Sequence, residues 1–268
     1  HADLISAEQI AELRNDYPNV KFGQWFLDPL NKKGPDYHRN KSRILDKIEH
    51  LDASFVTTSP SVLNFLPKNN NNFYIPNPSD DSFETLNNFL KPCNVDVFFA
   101  LSHGVHRGVL KSGKIDDRIT FLKNLSEKTP DVKFDIYGID KIQPIWADHY
   151  FKTIANAKMG LNLSRGDAIK YYSSDRITQI VGNGLVCLID EKTQYRDFFD
   201  NSEMVFYKNI SDLSEKILKI SRDEKLRKSI GKKGKKKYMK YFNSTLVADF
   251  IINKTLGRLD KKKYHWHD

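Results

Sequence analysis

The stretch from Met159 to Asp190, MGLNLSRGDAIKYYSSDRITQIVGNGLVCLID, constrains the fold more than any other part of the chain. Its apolar run Met159–Leu163 predicts a strand, and Ser164, Arg165, Gly166 and Asp167 predict the loop that follows. Ser173-Ser174-Asp175 has the composition of a helix N-cap, Gly182-Asn183-Gly184 that of a helix end, and Leu185–Asp190 that of a buried parallel strand. A strand–loop–helix–strand unit that places hydroxyls, an arginine and bare backbone amides at the helix start is suited to an anion. The stretch therefore points to a phosphate-bearing ligand.

The same alternation runs through the rest of the chain. Ahead of residue 92 the pattern predicts helices over Ala7–Tyr17 and Ser42–His50 and a short one over Pro60–Leu66. Strands are predicted over Val20–Leu27, Ala53–Thr57 and Asn72–Ile75. Beyond it, strands Val95–Leu101, Val132–Tyr137 and Met204–Tyr207 join the two above. Helices are predicted over Asp116–Glu127, Tyr150–Ala157, Ser211–Ser221, Glu224–Phe242 and Ser244–Leu256, the last capped by Ser244. Alternation at this spacing predicts an α/β fold with doubly wound parallel sheets. With 268 residues, 39% of them hydrophobic, the chain can bury two cores. Two Rossmann-like domains are expected, residues 1–91 and 92–268, with the shorter first one incomplete. The chain opens on His1 rather than Met, which fits a missing N-terminal portion.

Cys93 and Cys187 lie far apart in apolar contexts and read as buried thiols, consistent with a reduced, cytoplasmic compartment. No run of 18 apolar residues and no signal peptide is visible. The net charge of +9 is concentrated in Glu224–Lys240, EKLRKSIGKKGKKKYMK. That segment reads as a solvated helix face or as a peripheral contact with an anionic membrane. Little aromatic interleaving and no recognised motif argue against nucleic acid as a partner.

Candidate ligand residues fall at predicted strand ends, where open α/β sheets bind. The loop Ser102–Lys114, SHGVHRGVLKSGK, offers glycines for close backbone approach and Arg107, Lys111 and Lys114 to neutralise phosphate. Its spacing is not that of a Walker motif. His103 and His106 lack a third ligand nearby, so no metal site is expected. Gly138 closes the strand Val132–Tyr137. An arginine in a helix's first turn opposes the macrodipole unless an anion sits there, which singles out Arg176, with Arg165 in the preceding loop. An ion pair with Asp167 or Asp175 is the structural alternative. Gln179, one turn on, faces the same way and has the reach for a ribose hydroxyl. Lys170, Tyr171 and Tyr172 are candidate pocket walls. In Trp25–Asn31 (WFLDPLN), Asp28 is either a base or hydroxyl ligand, or the cap of the Pro29 turn. Asp116-Asp117 reads as a helix cap.

Taken together, these residues resemble glycosyltransferases of the GT-B fold, in the group related to the CgeB-like and family-4-like enzymes. The likeness rests on WFLDPLN, on FVTT at the end of a first-domain strand, and on YYSSDRITQIVGNGLVCLID, which matches S-x-R-x-x-E-x-x-x-x-G except that Gln179 replaces the Glu. It extends through EMVFYKNISDLSEKI and the closing helices, and so covers nearly the whole chain. The resemblance implies a metal-independent transferase with no cofactor, taking a nucleotide-diphosphate sugar as donor in the second domain and a glycan or lipid-linked acceptor in the first. It implies further βα units ahead of His1, and a role in polysaccharide, lipopolysaccharide or glycan synthesis at the cytoplasmic membrane face. By position, Arg176 and the amides of Ser173 and Ser174 would hold the diphosphate, and residue 179 the ribose. Arg107, Lys111 and Arg165 would join Arg176 in stabilising the leaving group, with Asp28 or His103 as base. A non-catalytic sugar-nucleotide or phosphate-binding module, or a related enzyme such as a sugar-nucleotide epimerase, remains the alternative.

Overall fold

The structure is a computed structural model and describes residues 5–68, 71–101, 116–259 and 263–266. Its contacts divide the chain into two compact units. The first comprises His1–Pro78, Gly166–Ser174 and Tyr241–Asp268, and the second Ser79–Arg165 and Asp175–Lys240. This division differs from one at residue 91/92 in two ways. Residues 79–91 pack with the second unit, and two later segments return to the first.

The first unit is a parallel three-stranded sheet in the order β1 (Gly23–Phe26), β2 (Ala53–Val56), β3 (Asn72–Tyr74). All four residues of the central strand β2 are buried, as expected where both faces of a parallel sheet are covered. Alternation sends Val56 to one face, where it meets Phe26, Leu30 and Ile44 and Ile48 of α2 (Tyr37–Ile48). Phe55 points to the other, where it packs with Phe73 and with Phe250 of α8 (Ser244–Thr255). The cap of α8 is Asn243, whose side chain accepts from the Leu246 amide, and not Ser244 as expected. Beyond α8, Tyr264 and Trp266 are buried against Phe250, and the ring of His265 stacks on Tyr241 at 4.5 Å. An N-terminal helix α1 (Ala7–Asp16) starts with a reciprocal capping box between Ser6 and Gln9.

The second unit is a parallel five-stranded sheet of β4 (Val95–Ala100), β5 (Phe134–Tyr137), β6 (Ala157–Asn162), β7 (Val186–Asp190) and β8 (Val205–Tyr207). The spatial order is β5-β4-β6-β7-β8. Helices α3 (Asp117–Lys128) and α6 (Ile210–Arg222) cover the face bearing Val97, Phe99, Met159, Leu161, Val186 and Leu188. On the opposite face Tyr150 of α4 (Ala147–Ile154) meets Phe98 edge-on, and α5 (Arg176–Gly182) lies against β6. Asp116 caps α3 through the Arg118 amide, as its sequence predicts. Cys187 in β7 and Cys93 ahead of β4 are buried and unpaired.

The basic segment forms α7 (Glu224–Tyr241), and it is not a uniformly solvated face. Arg227 is 1% exposed; it donates to the carbonyls of Asn88 (2.7 Å) and Lys91 (2.9 Å) and pairs with Glu224. Lys235 donates to the carbonyls of Glu84 (3.0 Å) and Leu86 (2.7 Å). Asn183 accepts from the Leu86 amide, and the Asn88 amide group donates to Ile154 and Ala157. These bonds fix residues 80–91 to the second unit.

Candidate functional site

Numbered from β4, the second sheet has the order 2-1-3-4-5, in which the chain reverses direction across the sheet between β4 and β6. In such sheets the crevice outside the carboxyl ends of the strands flanking that reversal is the place ligands occupy. A cleft of about 400 Å³ opens there. Ala100 and Leu101 at the end of β4 form its floor, and Ile145, Trp146, Tyr150 and Phe151 form an aromatic wall. Glu84, Asp175, Arg176, Gln179 and Asn183 supply the polar side. Trp146 is 56% exposed and Phe83, at the rim, 68%. Ala147, which lines the wall, has φ 46°, a left-handed conformation costly for a residue with a Cβ and the kind of strain that concentrates at ligand sites.

The polar groups are held in place. Arg176 donates through Nη2 to the carbonyl of Leu163 at 2.8 Å, and its guanidinium lies 5.2 Å from the centre of the Phe99 ring. Tyr150 donates its hydroxyl to Gln179 Oε1. Burial pushes that phenol well above its ordinary pKa, so it stays a donor and fixes the amide with its NH2 as the remaining polar end. Glu84 is 9% exposed, and burial, with the charge of Asp80 adding to it, raises its carboxyl above the usual carboxylate range. Among the described residues lining the cleft there is no Ser, Cys, His or Lys. The arrangement is one for holding a ligand, with a flat apolar surface beside a cation, a carboxylate and an amide.

Of the residues singled out from sequence, Arg176 and Gln179 meet in this cleft. Gly138 adjoins its floor for a structural reason: at φ 73°, a Cβ there would sit 2.0 Å from the Leu101 carbonyl oxygen. Arg165 is half-buried near the start of the loop after β6 and does not line the cleft. The expected cap on α5 is not built. Asp175 occupies the cap position in helical conformation with no side-chain bond, and the Ser173 hydroxyl donates to the Ser174 carbonyl at 2.9 Å. Lys170, Tyr172, Ser173 and Ser174 belong to the first unit. There Ser173 is buried with its carbonyl taking the Asn77 amide at 2.8 Å, Tyr172 is buried, and the Lys170 ammonium lies 4.8 Å from the Tyr171 ring centre. Asp28, also in the first unit, faces Arg43 Nη1 at 3.5 Å. His103, Arg107 and Lys111, with His106 and Lys114, lie outside the described residues. Sequence reading missed Glu84, Trp146, Tyr150 and Asn183. Trp146 alone carried a signal, standing just after a Pro-Ile pair at a helix start.

Residues 118–253, just over half of the chain, match a family model described as glycosyl transferase-like. No curated protein matches the chain by sequence. Solved structures resemble it at low identity. A mutant of S. aureus TarM in complex with fondaparinux, alpha-GlcNAc-glycerol and UDP has a TM-score of 0.63 at 15% identity, covering 93% of this chain and 54% of that one. Anabaena HepE in complex with UDP and glucose has a TM-score of 0.63 at 10% identity, covering 95% and 77%. An alpha-glucosyltransferase in complex with UDP-glucose and DNA has a TM-score of 0.62 at 12% identity, covering 93% and 76%. The chain thus spans about half the length of TarM.

Proposed function

The chain belongs to the glycosyl transferase-like family and has the GT-B fold, and on that premise we propose that it moves a sugar from a nucleotide diphosphate to an acceptor hydroxyl. The observation that carries this reading is the cleft at the β4/β6 reversal, with an aromatic wall on one side and Arg176 on the other. A nucleobase and a diphosphate need those two surfaces in that order. The UDP and UDP-glucose in the similar structures support the same ligand class here.

In the proposed reaction the bond between the sugar's anomeric carbon and the diphosphate oxygen breaks, and the diphosphate leaves with the electron pair. The acceptor oxygen bonds to that carbon and its proton passes to a base. Arg176 stabilises the charge that develops on the diphosphate, in a cleft where fixed cations are worth more than in water. Arg107, Lys111 and Arg165 remain proposed partners in that role, and Asp28 and His103 proposed bases. Metal independence and a glycan or lipid-linked acceptor belong to the same proposal.

A thermal-shift screen of nucleoside diphosphates and their sugars tests the reading, since a ligand that binds only the folded state raises apparent stability by mass action. Stabilisation by at least one of them, with hydrolysis of the matching sugar nucleotide, is expected; a flat panel would sink the donor assignment. Stabilisation without hydrolysis or transfer would instead identify a binding module.

No helix among the described residues is long and apolar enough to cross a membrane. We place the protein at the cytoplasmic membrane face through α7. Lys225, Lys232, Lys233 and Lys236 are exposed there and have no ion-pair partner among the described residues. Each lysine near an anionic surface contributes about 1 kcal/mol. Sedimentation with phosphatidylglycerol vesicles is expected at low salt, and its absence there removes the idea.

A further inference from the structure

We infer that Glu84 is the residue that reads the ribose of the donor nucleotide, an assignment that rests on the nucleotide reading of the cleft. Four features set this carboxylate apart from the other polar groups around it.

It is nine-tenths buried yet lines the cleft. One oxygen is fixed, since Oε2 accepts from the Asp80 amide at 2.7 Å, and Oε1 has no hydrogen-bond partner among the described residues. The backbone beneath it is pinned by Lys235, which holds the Glu84 carbonyl at 3.0 Å. Its stem lies on Gly182 of α5, where a Cβ would fall 2.4 Å from the Glu84 Cγ, so the helix carrying Arg176 and Gln179 is shaped to admit it.

A vicinal diol needs an acceptor, and an ionised carboxylate is acceptor-only, with two oxygens able to take hydroxyl protons. In dinucleotide-binding sheets a carboxylate meets the ribose in this way. Gln179 is poorly placed for the task because its Oε1 already takes the Tyr150 hydroxyl. Asp175 is exposed and lacks the fixed surroundings of Glu84. Burial supports the assignment, because a desolvated carboxylate gains more from a hydroxyl than a hydrated one.

The test compares UDP, ADP, GDP and CDP with their 2′-deoxy forms by calorimetric titration of the full chain. The wild type is expected to bind its preferred ribonucleotide about tenfold or more tightly than the deoxy form, the scale of one hydrogen bond to a charged group. Glu84→Gln should lose that preference by weakening the ribonucleotide while leaving the deoxy form unchanged. Full retention of the preference in Glu84→Gln, or no preference in the wild type, overturns the assignment. Failure of every ribonucleoside diphosphate to bind the wild type instead overturns the nucleotide reading beneath it. If Glu84→Gln melts below the wild type, Glu84→Asp, which keeps the charge and withdraws it by one methylene, carries the same comparison.

Discussion

Arg176→Ala removes both a structural contact and the proposed diphosphate ligand, and the two losses are separable. In the protein alone, the guanidinium donates to the Leu163 carbonyl and presents a face to Phe99. A bond from a charged donor contributes about 1.5–3 kcal/mol and a partly desolvated cation–π contact about 0.5–2 kcal/mol. The cleft is open to water that will rehydrate the carbonyl, so a net cost of about 1–3 kcal/mol follows, or a melting temperature lower by about 2–10 °C. The structure expects it to fold with a measurable deficit. Ligand binding then loses a charge-assisted contact on top, weakening nucleoside diphosphate affinity by about 30- to 100-fold, equivalent to about 2–3 kcal/mol. Arg176→Lys separates the terms, because a lysine keeps the charge but cannot fork between the carbonyl and a phosphate. It should recover part of the affinity and little of the stability. The assay is calorimetric titration at fixed ionic strength alongside thermal melting. Wild-type affinity in Arg176→Ala refutes the role at the diphosphate, and a melting temperature within about 1 °C of wild type refutes the structural arithmetic.

Arg227→Ala strips two carbonyls and Glu224 of a charged donor and should cost about 2–4 kcal/mol by denaturant unfolding, with Arg227→Lys recovering less than half. Gly182→Ala gains about 1 kcal/mol of helix propensity but drives a methyl into Glu84, so the variant should melt no higher than wild type and lose discrimination between ribo- and deoxynucleotides. Because burial raises the Glu84 carboxyl, the folded state holds its proton more tightly than the unfolded chain does. The stability this contributes is full at acid pH and is lost as pH rises through the raised pKa, so the melting temperature of Glu84→Gln relative to wild type should climb as pH rises above about 4. A parallel pair of curves would contradict it. Sugar transfer should survive prior dialysis against EDTA with kcat unchanged, and restoration by added divalent cations alone would end the metal-independent proposal.

The alternation of apolar runs made both parallel sheets legible, because strands buried on two faces leave uninterrupted apolar segments such as Val95–Leu101 and Leu185–Asp190. Boundaries were less legible where two elements abut. The helix expected over Tyr150–Ala157 runs from Ala147 to Ile154, because Ala157 is already paired with Val95 in the sheet. On α7, charge density concealed a buried stripe. Arg227, Ile230, Gly231, Gly234 and Tyr238 recur at helical spacing and pack inward, although that face includes an arginine and two glycines. A residue's type announced a solvated helix, whereas its spacing already marked the side that is not.

The site divides along a similar line. Arg176 and Gln179 were found because they lie on the helix of a recognisable strand–loop–helix–strand unit, where local pattern and ligand geometry coincide. The rest of the cleft comes from residues 83–84, 100–101 and 145–151, which only the sheet order brings together. Glu84 stands in an irregular segment whose conformation is set by partners nearly a hundred residues or more away, Asn183 and Lys235, so no local signal marks it. Gly182 was read with Asn183 and Gly184 as the end of the helix; it is the last residue of α5, and the left-handed position that follows falls at Gly184. The missing side chain of Gly182 also makes the space that Glu84 fills, and a carboxylate absent from position 179 thereby enters the same cleft from another part of the chain.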